Sequence, residues 1–152
     1  MGAQFWSYFV PYQEDIEAAL QKLREQEFRT GRFHQPALVY PGLWGRIIGR
    51  KPAKPNPPKS IRQAIQIADT TAEGTRSILD MERISSIPGS GSVSPVPQRE
   101  LQRIFGTQQP TCEMVEKSED LIENLDRGRG IYVITYKENE PAGIYFAGYS
   151  YD

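Results

Sequence analysis

Catalysis and metal binding commonly use carboxylates, thiols and imidazoles, and this sequence offers candidates of all three kinds. Asp80 and Glu82 lie in an alternating stretch, Arg76 to Ile84, so a strand there would place both carboxylates on one face. Paired acids can hold a metal ion or share a proton, although they more often form exposed ion pairs. Cys112 opens a predicted helix, where backbone amides lower a thiol pKa, and His34 is the only histidine.

These residues do not combine into a catalytic set. A nucleophile needs a base within reach, and a base needs a partner that orients it, and the sequence shows neither. One cysteine and one histidine cannot complete a zinc site without several carboxylates. We therefore predict no catalytic residue, no metal ion, no cofactor and no enzymatic activity. A small hydrolase or transferase that uses Asp80, Glu82 and Cys112 is the alternative.

Charge is distributed unevenly along the chain. The window from Phe28 to Ala68 holds eight basic residues and no acidic one, although the formal net charge of the protein is only −1. The rest of the chain carries 10 of the 18 basic and all 19 acidic residues, a formal balance of −9. Such segregation creates a local positive field that attracts anionic partners.

The basic window contains a long segment, residues 33–59, which we call the arm. Its first half mixes large apolar residues with Pro and Gly, and its second half is rich in Lys and Pro. The apolar residues must be buried on this domain or on a partner, while the second half favours an extended spacer. The basic half can also be a solvated linker or contact nucleic acid or a membrane surface. The predicted arm contacts are Tyr40, Leu43, Trp44, Arg46, Ile47, Ile48, Arg50, Lys51 and Lys54.

Tyrosines mark a second unusual surface near the C-terminus. Residues 131–136 and 144–149 predict a β-hairpin, because both runs are β-branched and aromatic and Pro141 and Gly143 lie between them. The period of two predicts one aliphatic face and one tyrosine face. Tyrosine is common at protein interfaces and also in ordinary half-buried strands. The predicted contacts on this face are Tyr132, Tyr136, Tyr145 and Tyr149.

The remaining pattern predicts the elements that position these surfaces. Strands are expected at Phe5 to Val10, at Arg76 to Ile84 and around Val93. Helices are expected at Asp15 to Phe28, from the capping box Ser60 to Gln63 through Ala68, at Pro97 to Phe105, and at Thr111 to Arg127. This order predicts one α+β domain, residues 1–152, with a mainly antiparallel sheet of four to five strands and helices on one face.

Three segments, "FWSYFVPYQ", "GTRSILDMERI" and "IYFAGYSYD", resemble the framework of small uncharacterised bacterial α+β proteins. The resemblance implies no activity and no residue role. A single cysteine, the lack of a signal peptide and the lack of a membrane span predict a cytoplasmic protein.

The sequence therefore predicts a non-catalytic protein-binding protein, either an accessory subunit of a larger assembly or an inhibitor of the immunity type. It would dock through the Trp44 arm and the tyrosine face onto a protein with an acidic or apolar surface. Nucleic-acid binding through the basic arm is the second alternative.

Overall fold

The computed structural model describes residues 3–151, which form an α+β fold. Its elements are β1 (Phe5–Pro11), α1 (Ile16–Thr30), α2 (Leu43–Ile47), α3 (Ile61–Asp69), β2 (Arg83–Ile84), β3 (Ser92–Pro95), α4 (Gln98–Phe105), α5 (Cys112–Glu116), β4 (Gly130–Lys137) and β5 (Glu140–Tyr149). A short 3-10 turn, Ile78–Asp80, precedes β2.

The five strands form one mixed sheet in the order β1-β5-β4-β3-β2. β5 pairs antiparallel with β1 and with β4, whereas β3 pairs parallel with both β4 and β2. The prediction of a mainly antiparallel sheet is therefore wrong. The reason is that α4 and α5 lie between β3 and β4 and return the chain to the end where β3 began, which is how parallel neighbours are connected.

Helices cover both faces of this sheet, so the prediction of helices on one face is also wrong. On one face, Leu20 and Leu23 of α1 pack into a buried cluster with Trp6 and Phe146. On the other face, α4, α5 and the chain after α5 contribute to a second buried cluster, which contains Leu101, Val115, Leu121, Val133 and Tyr145. The two clusters together hold β4 and β5 in the middle of the molecule.

Local signals in the sequence explain the first and third helices. The Asp15 side chain accepts a hydrogen bond from the Ala18 amide at 2.9 Å and begins α1, and Gly31 ends α1 with a φ of 69°. Ser60 Oγ accepts from the Gln63 amide at 3.2 Å, and Gln63 Oε1 accepts from the Lys59 amide at 2.8 Å. The capping box predicted at the start of α3 is confirmed in this form.

Two predicted elements are shorter than expected. The strand from Arg76 to Ile84 is wrong over most of its length, because the chain makes the 3-10 turn before the two residues of β2. The helix from Thr111 to Arg127 ends at Glu116. Its remainder forms i to i+3 turns such as Ile122 N to Glu119 O at 3.2 Å, in a stretch rich in Ser, Asp and Asn, which favour turns.

Candidate docking surface

The arm leaves the sheet and closes on itself as a loop. Val39 and Ala53 exchange backbone hydrogen bonds of 2.8 and 3.1 Å, an isolated antiparallel bridge that joins the two sides of the loop. Below this bridge, the His34 amide donates to the Thr75 carbonyl at 2.8 Å, and Pro36 is buried. The base of the arm is thus attached to the body, while α2 lies at its far end.

The far end of the arm, which we call the tip, presents four large apolar side chains to solvent. Their exposed fractions are 74% for Leu43, 79% for Trp44, 64% for Ile47 and 65% for Ile48. The spacing of i, i+1, i+4 and i+5 places them on one side of a helix, within an arc of about 140° at about 100° per residue. None of them belongs to either core cluster. The alternative that the arm packs on its own core is therefore wrong for the tip.

The tip is shaped by its own backbone and by Pro41. A Cβ added at Gly45 would lie 2.6 Å from the Pro41 Cβ, so only glycine permits this close approach. The Pro41 carbonyl accepts from Arg46 Nε at 3.2 Å, and the Gly45 carbonyl accepts from the Arg50 amide at 2.8 Å. These contacts stabilise the backbone that carries the apolar side chains, and none of them involves the core.

A groove of about 740 Å³ lies between the arm and α3. Tyr40 and Pro41 line it on the arm side, and Gln63, Gln66 and Thr70 line it on the α3 side. Its cations are Arg50, Lys51, Lys54 and Lys59, and no Asp or Glu lines it. Of the ion pairs between residues 3–151, none involves these four cations. The groove therefore carries unneutralised positive charge.

The predicted tyrosine face does not exist as one surface. Tyr132 pairs with Phe146 on the α1 side of the sheet, whereas Tyr145 pairs with Val133 on the opposite side. The ladder is regular from Gly130 to Thr135, and its register puts Tyr132 and Tyr145 on opposite faces; an irregularity follows between Thr135 and Tyr136. That register depends on which residues pair, and a single strand's pattern does not reveal it.

The individual tyrosines also differ in accessibility. Tyr145 is only 6% exposed, and Tyr132, Tyr136 and Tyr149 are half-buried. Burial raises the pKa of the Tyr132 phenol. Burial also raises the pKa of Tyr145, although a hydrogen bond with Ser7 opposes the shift. These four residues therefore do not form an open phenolic patch.

Aromatic rings do reach solvent at the β1 edge of the sheet. Phe5 is 37% exposed, and its ring lies tilted against Tyr149 at a ring-centroid distance of 5.6 Å; Phe9 is 43% exposed, and its ring centroid lies 4.7 Å from that of Tyr145. Because β1 is an edge strand, this is the part of the sheet where phenylalanine rings reach solvent. Phe5 and Phe9 were not predicted as surface residues, although their even spacing along β1 indicates a shared face.

The predicted carboxylate pair is separated by the 3-10 turn. Asp80 is buried, and its Oδ1 accepts from the Thr75 amide at 2.8 Å and the Thr75 hydroxyl at 2.7 Å. Burial raises the pKa of Asp80, while those hydrogen bonds oppose the shift. Glu82 is exposed, so the two acids do not share an accessible face. The observed role of Asp80 is to close the Thr75–Asp80 loop.

Cys112 and His34 have surroundings that differ from those of the carboxylate pair. Cys112 is exposed, and desolvation followed by Glu116 and Glu113 raises the pKa of its thiol, contrary to the lowering that a helix start predicts. His34 Nε2 lies 2.6 Å from Glu73 Oε2, and Arg76 Nη2 lies 3.4 Å from the same oxygen. This cluster is not visible in the sequence, because Glu73 is distant from His34 along the chain.

One buried acid, Glu27, was not predicted from the sequence. Glu27 is 3% exposed, although it lies on α1 among charged neighbours. Arg32 reaches it with Nη2 at 2.9 Å from Oε1. Desolvation first, and then the charge of Glu27, raise the pKa of Tyr8 to about 12. Glu27, Arg32 and Tyr8 together fix the end of α1 against β1. The five-residue spacing between Glu27 and Arg32 was the signal for this pair in the sequence.

Among residues 3–151, no three His, Cys, Asp or Glu side chains are grouped so as to hold a metal ion. Within the same residues, no helix has both the length and the apolar character needed to cross a bilayer. No protein-family profile, curated protein or solved structure matches the chain.

Proposed function

We propose that this chain is a non-catalytic binding protein that docks onto another protein through the tip of its arm. The observation that carries the proposal is the exposure of Leu43, Trp44, Ile47 and Ile48 on one side of α2, each at 64% or more. Contiguous apolar surface of this kind, bordered by cations, is typical of interaction sites and is rare on surfaces that face only water.

The energetic gain available at the tip is large for its size. Burying an exposed Leu, Ile or Trp side chain contributes about 1.5–3 kcal/mol each. The hydrogen bonds of Pro41 and Gly45 already fix the backbone beneath these side chains, so less ordering entropy is lost when a partner binds. Trp44 is the natural anchor, because tryptophan contributes more to interface hot spots than most residues.

The β1 edge supplies a second contact of the same kind. Phe5 and Phe9 expose aromatic rings there, and aromatic side chains are enriched at interface cores. A body that carries one surface at the edge of its sheet and the other on an arm attached to it suits an accessory subunit or an inhibitor of the immunity type. Both roles need a shaped surface and no reaction.

Site-specific photo-cross-linking in cells of the source organism tests the proposal. A photoreactive phenylalanine derivative replaces Leu43 in one variant and Ile87 in a second, matched variant. Ile87 is 75% exposed but lies outside the arm, in the chain between β2 and β3. We expect a discrete adduct with one protein from position 43 and none from position 87, and we expect Trp44→Ser to remove the adduct.

Equal adducts from both positions, or an adduct that survives Trp44→Ser, would refute docking by the tip. A stability control accompanies the test. Because Trp44 contacts neither core cluster, Trp44→Ser should change the melting temperature by no more than about 2–4 °C, the shift that corresponds to about 1 kcal/mol in a domain of this size. A lost adduct then reflects lost contact and not lost folding.

A further inference from the structure

We infer that the groove between the arm and α3 binds an acidic peptide segment of the partner, an inference that rests on the docking proposed above. Arg50, Lys51, Lys54 and Lys59 line the groove without any acidic residue. None of them pairs with an acid among residues 3–151. A run of Asp or Glu side chains would neutralise this charge, and complementary charges of this kind fix both partner choice and register.

The size of the groove favours a polymer segment over a single small anion. Its volume of about 740 Å³ greatly exceeds the roughly 30 Å³ that one water occupies in the liquid, so an isolated phosphate or carboxylate would contact only part of it. Four cations along one groove instead match several successive acidic side chains. An extended segment advances about 3.3 Å per residue and presents alternate side chains to one wall.

The polar walls favour peptide over nucleic acid. Asn56, Gln63 and Gln66 line the groove with side-chain amides, which both donate to and accept from peptide groups. Tyr40 is the one aromatic residue among the lining residues, whereas single-stranded nucleic acid binds by stacking successive bases on several rings. The formal balance of −9 outside the basic window also repels a long polyanion more than a short acidic segment.

The groove and the tip are continuous along the chain. Tyr40 and Pro41 line the groove and lie just before α2, and Arg50 lines it just after α2. A partner segment that covers Trp44 with an apolar residue can therefore continue into the groove with acidic ones. The recognised sequence should combine an apolar anchor with a flanking acidic run.

Selection of displayed random peptides on the whole chain tests this inference. Peptides of about ten residues are used, since they reach roughly 33 Å when extended. The groove variant is Arg50→Glu with Lys54→Glu. The matched control is Arg99→Glu with Lys137→Glu, which changes the net charge equally at exposed positions on α4 and at the end of β4. A third variant, Trp44→Ser, reports on the tip alone.

We expect enrichment of peptides that carry an acidic run beside an apolar residue. Their affinity should fall about tenfold or more in the groove variant, because attractions become repulsions, and should be unchanged in the control pair. Neutral apolar peptides that require Trp44 but bind the groove variant equally well would overturn the groove inference and leave docking by the tip intact. Failure to enrich any peptide, together with no adduct at position 43, would overturn both.

The same variants distinguish other occupants of the groove. Binding of a single-stranded oligonucleotide, or of vesicles containing anionic lipid, that is lost in the groove variant while acidic peptides fail to bind would assign the groove to that polyanion and overturn our inference. Concentration-dependent self-association that is lost in the groove variant, again without peptide binding, would assign it to the acidic surface of a second copy.

Discussion

Trp6 and Trp44 are the two tryptophans of the chain, and they lie in opposite surroundings. Trp6 is 6% exposed in the cluster beneath α1, whereas Trp44 is 79% exposed at the tip. Residue type alone does not distinguish them. Trp6 lies at an inward-facing position of β1, whereas Trp44 lies on the five-residue helix α2, which has no buried residue.

This contrast predicts two fluorescent populations. In the free protein, acrylamide should quench one tryptophan readily and the other poorly, because only Trp44 is open to solvent. Trp44→Phe should remove the readily quenched component and leave the protected emission of Trp6. If Trp44→Phe leaves the quenching curve unchanged, Trp44 is buried and the described tip is incorrect.

The buried carboxyl of Asp80 predicts a pH dependence of stability. Its pKa is raised above the ordinary value of 3.8, chiefly by desolvation. A raised pKa in the folded state means that its contribution to stability is complete below the unfolded pKa and is lost as the pH rises through the folded pKa. Ionisation of Asp80 therefore works against folding at neutral pH.

Urea unfolding of wild type and Asp80→Asn from about pH 4 to neutral pH measures how this stability depends on pH. We expect the advantage of wild type over the variant to be greatest near pH 4 and to shrink as the pH rises, because the Asn side chain does not ionise. An advantage that grows with pH would mean that the hydrogen bonds from Thr75 outweigh desolvation and lower the pKa instead.

At the scale of elements, β5 is tightly packed, because the Trp6 ring lies directly against its backbone. It pairs with both β1 and β4, and Gly148 allows Trp6 to lie across it. A Cβ added at Gly148 would lie 2.2 Å from Trp6 Cζ2 and 2.6 Å from the Arg129 carbonyl oxygen. Neither the ring, held in the cluster beneath α1, nor the backbone can withdraw freely.

Gly148→Ala should therefore destabilise the fold by about 1–3 kcal/mol, the typical range of overpacking in a dense core. Gly42→Ala is the matched control, since nothing lies within 4 Å of its added Cβ, and it should change stability by less than about 0.5 kcal/mol. Equal effects of the two substitutions in a thermal melt would contradict the packing of Trp6 on β5.

The elements that sequence predicts are those whose causes are local. Asp15 caps α1, and Ser60 with Gln63 begins α3, because each pattern is complete within four residues. The sheet was harder to predict, since the parallel pairing of β3 with β4 follows from a crossover through two helices. The opposite faces of Tyr132 and Tyr145 follow from hairpin register, which is equally non-local.

The proposed docking surface is visible in the composition of the sequence, whereas its geometry is not. The excess of apolar residues around Trp44 and the absence of acids from Phe28 to Ala68 are both visible in the sequence. Helix α2 was not predicted, because five residues that include a glycine give no helical period. The groove between the arm and α3 could not be foreseen, since it depends on how the arm closes at Val39 and Ala53.

At the scale of the whole molecule, an acidic body carries a basic arm with an apolar end. The body holds a formal balance of −9 and the basic window +8, so we expect the two parts to attract oppositely charged surfaces. Opposed charges of this size orient an approaching protein before contact. We expect the arm to be the first part of the chain to meet its partner.

Amide hydrogen exchange tests this central claim most directly. In the isolated protein, the amides of residues 43–48 should exchange much faster than those of β4 and β5, because their hydrogen bonds lie in one exposed turn. In the complex recovered by cross-linking, the same amides should become protected while those of the sheet stay unchanged. Protection of residues 43–48 in the isolated protein equal to that of β5 would contradict the account.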